Sequence, residues 1–236
     1  MFGNYANYYG YRNDRVIDSR LSRLPKHLFD SKDILDVGCN SGQLTLDIAL
    51  LYPIKSITAL DIDPSLVRKA KQNLYASKSL VKNDNNTLYY YPLSCMKEHS
   101  TLNYSHSASN IHFRCSDFIQ EPLNPNLKYD LILAMSITKW IHLEYSDPGI
   151  KLFFSKCYSA LKAGGILVLE PQSWDTYKKK IKLDKRLQEN YLTLKIMPEE
   201  FGGILEGLGF KEIHCEIGKE VNAFKRPIFL FEKGKL

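Results

Sequence analysis

A glycine-rich loop followed by an acidic residue is the first group whose types and spacing could do chemistry. The loop runs from Asp36 to Gly42, between an apolar run and a segment of helical spacing, and includes Gly38. Glycine lets a ligand approach the backbone, and N–H groups at a helix start attract negative groups. Asn40 stands where a dinucleotide fingerprint has glycine, but Asp61 ends the next apolar run, where an acid can hold a ribose. These residues together indicate a cofactor that contains adenosine.

A lysine and a histidine three residues apart form a second group. Lys139 and His142 follow an apolar run that ends at Met135. If the segment is helical, the two side chains share one face, and at a strand end they are expected to point into the crevice above the sheet. Two cations there would suit an anionic substrate. The alternative is that Trp140 belongs to the core and that Lys139 and His142 are ordinary surface residues.

Positive charge is concentrated in one late segment. The chain has a net charge of +6, and residues Thr176 to Lys195 hold seven cations against two carboxylates. Such a segment is either a solvated surface or a track for a nucleic-acid backbone, and the sequence leaves both open. The cations are Lys178, Lys179, Lys180, Lys182, Lys185, Arg186 and Lys195.

Apolar runs alternate with segments of helical spacing, which predicts the elements that position these groups. The pattern is typical of an α/β fold with a doubly wound, mostly parallel sheet. Two late runs, Phe210 to Ile217 and Pro227 to Glu232, have only a loop between them and predict a C-terminal antiparallel strand pair. The earlier strands are predicted at Asp33–Val37, Ser56–Ile62, Ile111–Cys115, Tyr129–Met135 and Ile166–Glu170.

Length and composition indicate one domain over residues 1–236. A chain of 236 residues with 44% hydrophobic and 25% charged residues is within the range of one large α/β domain. Residues 77–110 are polar and without period, which predicts a mobile insertion, and residues 1–30 form an N-terminal arm rich in tyrosine and arginine. No apolar run approaches the length of a membrane span, and the five scattered cysteines predict reduced thiols and no metal site.

Three motifs in register resemble the class I S-adenosylmethionine-dependent methyltransferases, whose sheet is Rossmann-like and seven-stranded. They are the loop Asp36 to Gly42, Asp61, and the sequence Ser116-Asp117-Phe118 after the third strand. In that family these positions hold the methionine, ribose and adenine of the cofactor. The resemblance therefore implies that Asp117 binds the adenine amine and that Phe118 flanks the ring, although some relatives have Asn-Tyr there. The Asn-Pro-Pro-Tyr type motif of many amino-group methyltransferases is missing after the fourth strand.

Four further blocks resemble the methylphosphate capping enzymes, the bicoid-interacting type RNA methyltransferases. This family transfers a methyl group from S-adenosylmethionine to the terminal (γ) phosphate at the 5′ end of an RNA polymerase III transcript, and one branch acts on 5′-monophosphates. The same activity, a nuclear location and a monomeric catalytic domain with RNA and RNA-binding proteins as partners are expected here. The blocks are Gly3 to Arg12, Ser136 to Leu143, Leu169 to Trp174, and Arg226 to Phe231.

Matching positions imply two sets of site residues. Those expected to clamp the substrate phosphates are Tyr8, Arg12, Lys139 and His142. Those expected to line the cofactor pocket are Tyr9, Arg20, Gly38, Cys39, Asn40, Asp61, Ile62, Asp117, Phe118 and Met135. Because a terminal phosphate is already anionic at neutral pH, alignment is needed more than a general base. Two other functions stay open at this point, an RNA-binding assembly factor without need of turnover and a methyltransferase of small anionic metabolites.

Overall fold

The structure, a computed structural model, describes residues 17–77, 80–82, 88–90, 110–181, 184–213 and 226–234. Its main sheet has seven strands in the order β5-β2-β1-β6-β7-β9-β8, where β9 is antiparallel to both of its neighbours and the pairings from β5 to β7 are parallel. The predicted fold class is confirmed. The elements are β1 (Asp33–Val37), α1 (Gln43–Leu51), β2 (Ser56–Asp61), α2 (Pro64–Ser77), β3 (Leu80–Lys82), β4 (Leu88–Tyr90), β5 (Ile111–Cys115), β6 (Tyr129–Met135), α3 (Thr138–Ala160), β7 (Leu161–Glu170), α4 (Asp175–Lys178), α5 (Lys185–Thr193), α6 (Phe201–Gly207), β8 (Phe210–Ile213) and β9 (Phe229–Lys233).

Helices cover both faces of this sheet because the parallel strands are apolar on both sides. Ile34 of β1 packs with α1 and α2, whereas the next residue, Leu35, packs with α3 and α6. Successive side chains of a strand point to opposite faces, so a strand buried on both sides is a continuous apolar run. This is why the bounds of β1, β2, β5 and β6 could be predicted closely.

Side-chain oxygens cap the first turns of α2 and α3. Asp63, which directly precedes α2, accepts hydrogen bonds from the backbone N–H groups of Ser65 (2.7 Å) and Leu66 (3.4 Å). At the start of α3, Gln172 accepts a hydrogen bond from the Lys139 N–H at 3.1 Å. Each bond satisfies a donor that the helix itself leaves without a partner.

Helix α3 is broken in its middle. Ser146 has φ 56° and ψ −166°, and Pro148 follows it. A β-carbon on Gly149 would lie 2.0 Å from the Tyr145 β-carbon, so glycine is required for the two halves to pack at this angle. The break directly follows Tyr145 and turns Asp147 in a direction that a straight helix would not give it.

Three details go beyond the predicted elements. Helix α3 begins at Thr138 and runs to Ala160, across the break. Strand β7 begins at Leu161 and not at Ile166, and Gly164 (φ +71°) and Gly165 lie within it beside a register irregularity. The polar insertion contains a short antiparallel pair, β3 with β4. That residues 1–236 form one domain stays a prediction.

The described residues include neither a membrane-spanning helix nor a metal-binding cluster. None of the helices in these ranges has the length and apolarity needed to cross a bilayer. Over the same residues, no group of three or more His, Cys, Asp or Glu side chains could hold a metal ion. Cys39, Cys115 and Cys157 are free thiols, and the other two cysteines lie outside the described part of the chain.

Candidate active site

A cavity with about 660 Å³ of empty space opens where β1, β2, β5 and β6 end at the same edge of the sheet. This is the edge at which ligands bind in open α/β sheets. Five of the ten residues predicted to bind the cofactor line it, namely Gly38, Asp61, Ile62, Asp117 and Phe118. The remaining wall is mostly apolar and comes from the same strand ends, from α3 with the residue before it, and from α5.

The loop after β1 provides a backbone cradle on one side of the cavity. Gly38 has φ +81°, and a β-carbon there would lie 2.7 Å from the Ile137 side chain. The N–H groups of Gly38 and Cys39 donate to the Leu60 carbonyl oxygen at 2.8 and 2.9 Å, which fixes the loop against β2. Asn40, also with positive φ (54°), donates its backbone N–H to Asp61 at 2.8 Å.

Asp61 and Asp117 place two carboxylates on the cavity wall. Burial raises the pKa of Asp61, and its oxygens accept hydrogen bonds from the backbone N–H groups of Asn40 and Asp63. Asp117 accepts hydrogen bonds from the Ile119 N–H and from the hydroxyl of Tyr145. Phe118 packs edge-on against Phe153. A cavity with a glycine cradle and two acceptors for ribose hydroxyls and an amine fits the adenosine part of the predicted cofactor.

Three described residues that were predicted to bind the cofactor, Cys39, Met135 and Arg20, are not among those that line the cavity. Cys39 and Met135 are buried in the core, and burial raises the pKa of the Cys39 thiol. The guanidinium of Arg20 is 4% exposed and contacts Asp18 at 2.6 Å and Glu170 at 3.2 Å. Their predicted cofactor contacts, and that of Asn40, stay predictions.

Lys139 is a buried cation among other cations. It is 3% exposed, and its Nζ lies 3.4 Å from the hydroxyl of Thr176. Burial, and then the charges of Arg226, Lys180 and Lys179, lower the pKa of Lys139 to about 8. The ring of Trp140, which lines the cavity, lies 5.3 Å from the Nζ of Lys139 and 6.0 Å from that of Lys180. We call Lys139, Lys179, Lys180 and Arg226 the basic cluster.

His142 shares a face of α3 with Lys139, as predicted, but this face is covered. The ring is fully buried, with Nε2 2.8 Å from Asp147 and Nδ1 3.3 Å from the Tyr177 hydroxyl. Burial lowers the pKa of His142, and Asp147 offsets part of that effect. The expectation that His142 points into the crevice is wrong, because Tyr177 and Phe201 pack over the ring. In this geometry His142 fastens the α4 region to α3 and does not reach a substrate.

A polar chain connects the two halves of the site. Glu170 accepts hydrogen bonds from Arg20 and from the hydroxyl of Ser136. Arg226 donates to the same hydroxyl at 2.5 Å. Ser136, directly after β6, and Glu170, at the end of the neighbouring β7, therefore connect two arginines. One is Arg20, which was predicted to bind the cofactor, and the other is Arg226 of the basic cluster.

Comparison with known proteins identifies the family. The sequence profile of Bicoid-interacting protein 3 (Bin3) matches residues 129–233, and a methyltransferase-domain profile matches residues 35–169. The U6 snRNA methylphosphate capping enzyme Amus of Drosophila melanogaster is 35% identical over 250 residues, which cover 99% of this chain and 75% of that protein. The chain belongs to the Bin3 family. The resemblance drawn from the sequence motifs is thereby confirmed.

Other matches extend this result. The 7SK snRNA methylphosphate capping enzyme of Mus musculus is 33% identical over 277 residues, covering 100% of this chain and 41% of that protein. The chain thus spans about two fifths of the length of that Bin3 relative. The N-methyltransferase NodS of Bradyrhizobium japonicum, crystallised with S-adenosylhomocysteine, is 15% identical with a TM-score of 0.55, covering 95% of each chain. At this identity NodS shows the fold alone.

The two family matches overlap over residues 129–169, which include Lys139 and the α3 wall of the cavity. Lys179, Lys180 and Arg226 lie only in the Bin3 match, whereas the cavity residues Gly38, Asp61 and Asp117 lie only in the general methyltransferase match. The Bin3 match therefore contains the whole basic cluster.

Several site residues were missed by the sequence analysis. One wall of the cavity is a single helical face with the spacing i, i+3, i+4, i+7 and i+8, a signal that could have found it. Its members are Ile137, Trp140, Ile141, Glu144 and Tyr145, and Leu187 of α5 completes the wall. Arg226 was noted only as part of a motif. Tyr8, Tyr9 and Arg12, predicted to bind cofactor or phosphate, lie outside the described residues.

Proposed function

We propose that this chain transfers a methyl group from S-adenosylmethionine to the terminal phosphate at the 5′ end of an RNA. The observation that carries the proposal is the buried Lys139 beside a cavity that fits adenosine, with its pKa lowered by burial and then by three neighbouring cations. A buried cation with other cations beside it favours a bound anion, and a phosphate group can accept from several donors at once. The names of the Drosophila and mouse relatives, which are capping enzymes of small nuclear RNAs, support the same substrate and a nuclear location.

Binding and alignment are the tasks of this chain's residues in the reaction. S-adenosylmethionine would supply an electrophilic methyl group on sulfur, and Gly38, Asp61 and Asp117 would hold its adenosine part. The second pKa of a terminal phosphate is about 6, so its oxygen is a nucleophile at neutral pH without a general base. Lys139 and Arg226 would hold the oxygens that do not react, since cations on the attacking oxygen would weaken it as a nucleophile. Holding reactants in line can supply several kcal/mol of barrier reduction.

Label transfer tests the proposal directly. Methyl-labelled S-adenosylmethionine is incubated with short RNAs of one sequence that end in a 5′-triphosphate, a 5′-monophosphate or a 5′-hydroxyl. We expect label on the phosphorylated RNAs and none on the hydroxyl RNA. The labelled 5′ ends should resist phosphatase, because a methylated terminal phosphate is no longer a free monoester. Label on the hydroxyl RNA would indicate an acceptor in the RNA body. Tight binding of cofactor and RNA without transfer would favour a role as an RNA-protecting assembly factor.

The pH profile should show two limbs. We expect kcat/KM for the triphosphate RNA to rise through about pH 6 as the phosphate ionises. It should fall above about pH 8, because the pKa of Lys139 is lowered to about 8 and the deprotonated amine no longer attracts phosphate. In Lys139→Arg, whose guanidinium keeps its charge, the alkaline fall should disappear. If kcat/KM of Lys139→Arg still falls above pH 8, the fall is caused by the titration of another group.

The basic segment should contribute to RNA affinity through charge. If Lys178, Lys179 and Lys180 contact the RNA backbone, replacing all three with alanine should reduce the slope of log Kd against log salt by up to about 2 units. Cofactor affinity, measured by calorimetry, should stay unchanged. The matched control replaces Lys69 and Lys71, two exposed lysines of α2 on another side of the sheet. Equal slopes of log Kd against log salt for wild type and the triple variant would indicate that these three lysines are ordinary solvated surface residues.

A further inference from the structure

Tyr145 reaches across the cavity from α3 to the loop after β5. Its hydroxyl donates a hydrogen bond to Oδ2 of Asp117, and both side chains are half-buried on the cavity wall. Tyr145 is the last residue before the break at Ser146 and lies on the same helical face as Trp140 and Ile141, and Gly149 packs closely against it. A strained backbone residue thus directly follows the tyrosine whose phenol reaches Asp117.

Asp117 is held at both oxygens. Oδ1 accepts hydrogen bonds from the N–H groups of Ile119 at 2.8 Å and Gln120 at 3.3 Å, and Oδ2 accepts from Tyr145. Burial, and then the contact with Asp117, raises the pKa of Tyr145 to about 12, so the phenol keeps its proton and remains a donor at neutral pH. A carboxylate oxygen can accept more than one hydrogen bond, so Oδ2 retains capacity toward the cavity.

The other carboxylate on the α3 wall is differently engaged. Glu144 pairs with Arg186 of α5 at 2.5 Å. Its charge is thereby compensated by direct contact, whereas the direct hydrogen-bond donors to Asp117 given above are neutral and Lys156 acts on it only through a longer-range charge interaction. A ligand group that enters between α3 and β5 therefore meets a hydrogen-bond acceptor, Asp117. The hydroxyl hydrogen of Tyr145 is already donated to Asp117.

We propose that Tyr145 is a positioning residue that fixes Asp117 as an acceptor and thereby makes the cavity select an exocyclic amine over a carbonyl at the same ring position of a purine. An amine donates to the fixed oxygen. A carbonyl at the same position would instead face the carboxylate oxygen that Tyr145 fixes, and two acceptors repel each other. The inference rests on the proposed function, in which the cavity holds the adenosine part of the cofactor, and it adds the residue that sets base selectivity.

The test compares two ligands that differ at this one group. Calorimetry measures the affinity of S-adenosylhomocysteine and of S-inosylhomocysteine, its 6-oxo counterpart, for wild type, Tyr145→Phe and the control Tyr158→Phe. Wild type should prefer the adenosine ligand by roughly 30-fold or more, as sites that read a polar group reject a mismatch. In Tyr145→Phe we expect the preference to fall at least about fivefold, mainly through weaker binding of the adenosine ligand. Tyr158→Phe, which changes a tyrosine packed on Phe210, should keep the wild-type preference.

A double-mutant cycle separates positioning from a general loosening of the cavity. If Tyr145 acts through Asp117, then Tyr145→Phe should have no further effect on S-adenosylhomocysteine affinity in an Asp117→Asn background. Two results would overturn the inference. One is an unchanged preference of Tyr145→Phe for the adenosine ligand, and the other is an equal loss of S-adenosylhomocysteine affinity when Tyr145→Phe is made in the wild type and in Asp117→Asn. These readings need no RNA, so they are independent of the acceptor. Failure of wild type to bind S-adenosylhomocysteine at all would instead remove the proposed cofactor.

Discussion

Replacement of Lys139 by methionine is expected to lower the turnover number on 5′-triphosphorylated RNA about 100-fold at saturating RNA and cofactor, the size typical of losing one aligned charge at a reacting group. Methionine fills a similar volume without charge, so the core around the 3% exposed side chain should hold. Affinity for the same RNA with a 5′-hydroxyl should hardly change, because the lysine is assigned to the phosphate end and not to the RNA body. Single-turnover and steady-state kinetics with both RNAs measure the two effects.

A matched control uses a lysine at the opposite edge of the sheet. Lys162 pairs with Asp33 and Asp130 at 3.0 and 2.8 Å, near the start of β1 and β6. Lys162→Met should therefore affect thermal stability and leave turnover unchanged. Normal saturated turnover in both Lys139→Met and Arg226→Met would contradict the phosphate assignment. Weaker binding of both RNAs with normal saturated turnover would place these cations along the RNA body.

The fold could be predicted because its signals are local. Each parallel strand is a short apolar run, and the first two crossover helices have regular apolar spacing with a recognisable cap at Asp63. The end of β2 fixed the position of Asp61, which lies on the cavity wall. Residues at strand ends could be found for the same reason, since parallel strands bring their carboxyl ends to one edge.

The residues that were missed or misplaced depend on contacts between distant segments. Lys139 and His142 do share a helical face, but the segment after β7 covers it, so that Thr176 lies at Lys139 and Tyr177 lies at His142. Helical spacing predicts which side chains are neighbours and not what packs against them. Arg226 reaches Ser136 from ninety residues further along the chain. The break at Ser146, which gives Asp147 its place at His142, is marked in the sequence only by Pro148 and Gly149.

The last prediction concerns Asp61, the acid at the end of β2. Asp61→Ala should weaken the binding of S-adenosylhomocysteine by about 2 kcal/mol, or roughly 30-fold, through loss of charged hydrogen bonds to the ribose hydroxyls. The neighbouring Asp63 provides the matched control, because it caps α2 through Ser65 and Leu66. Asp63→Ala should cost about 1 kcal/mol of folding stability and leave affinity unchanged. Calorimetry and thermal unfolding distinguish the two carboxylates. Wild-type affinity in a folded Asp61→Ala variant would remove Asp61 from the cofactor site, and an equal loss of affinity in both variants would mean that Asp61 acts only by shaping the loop.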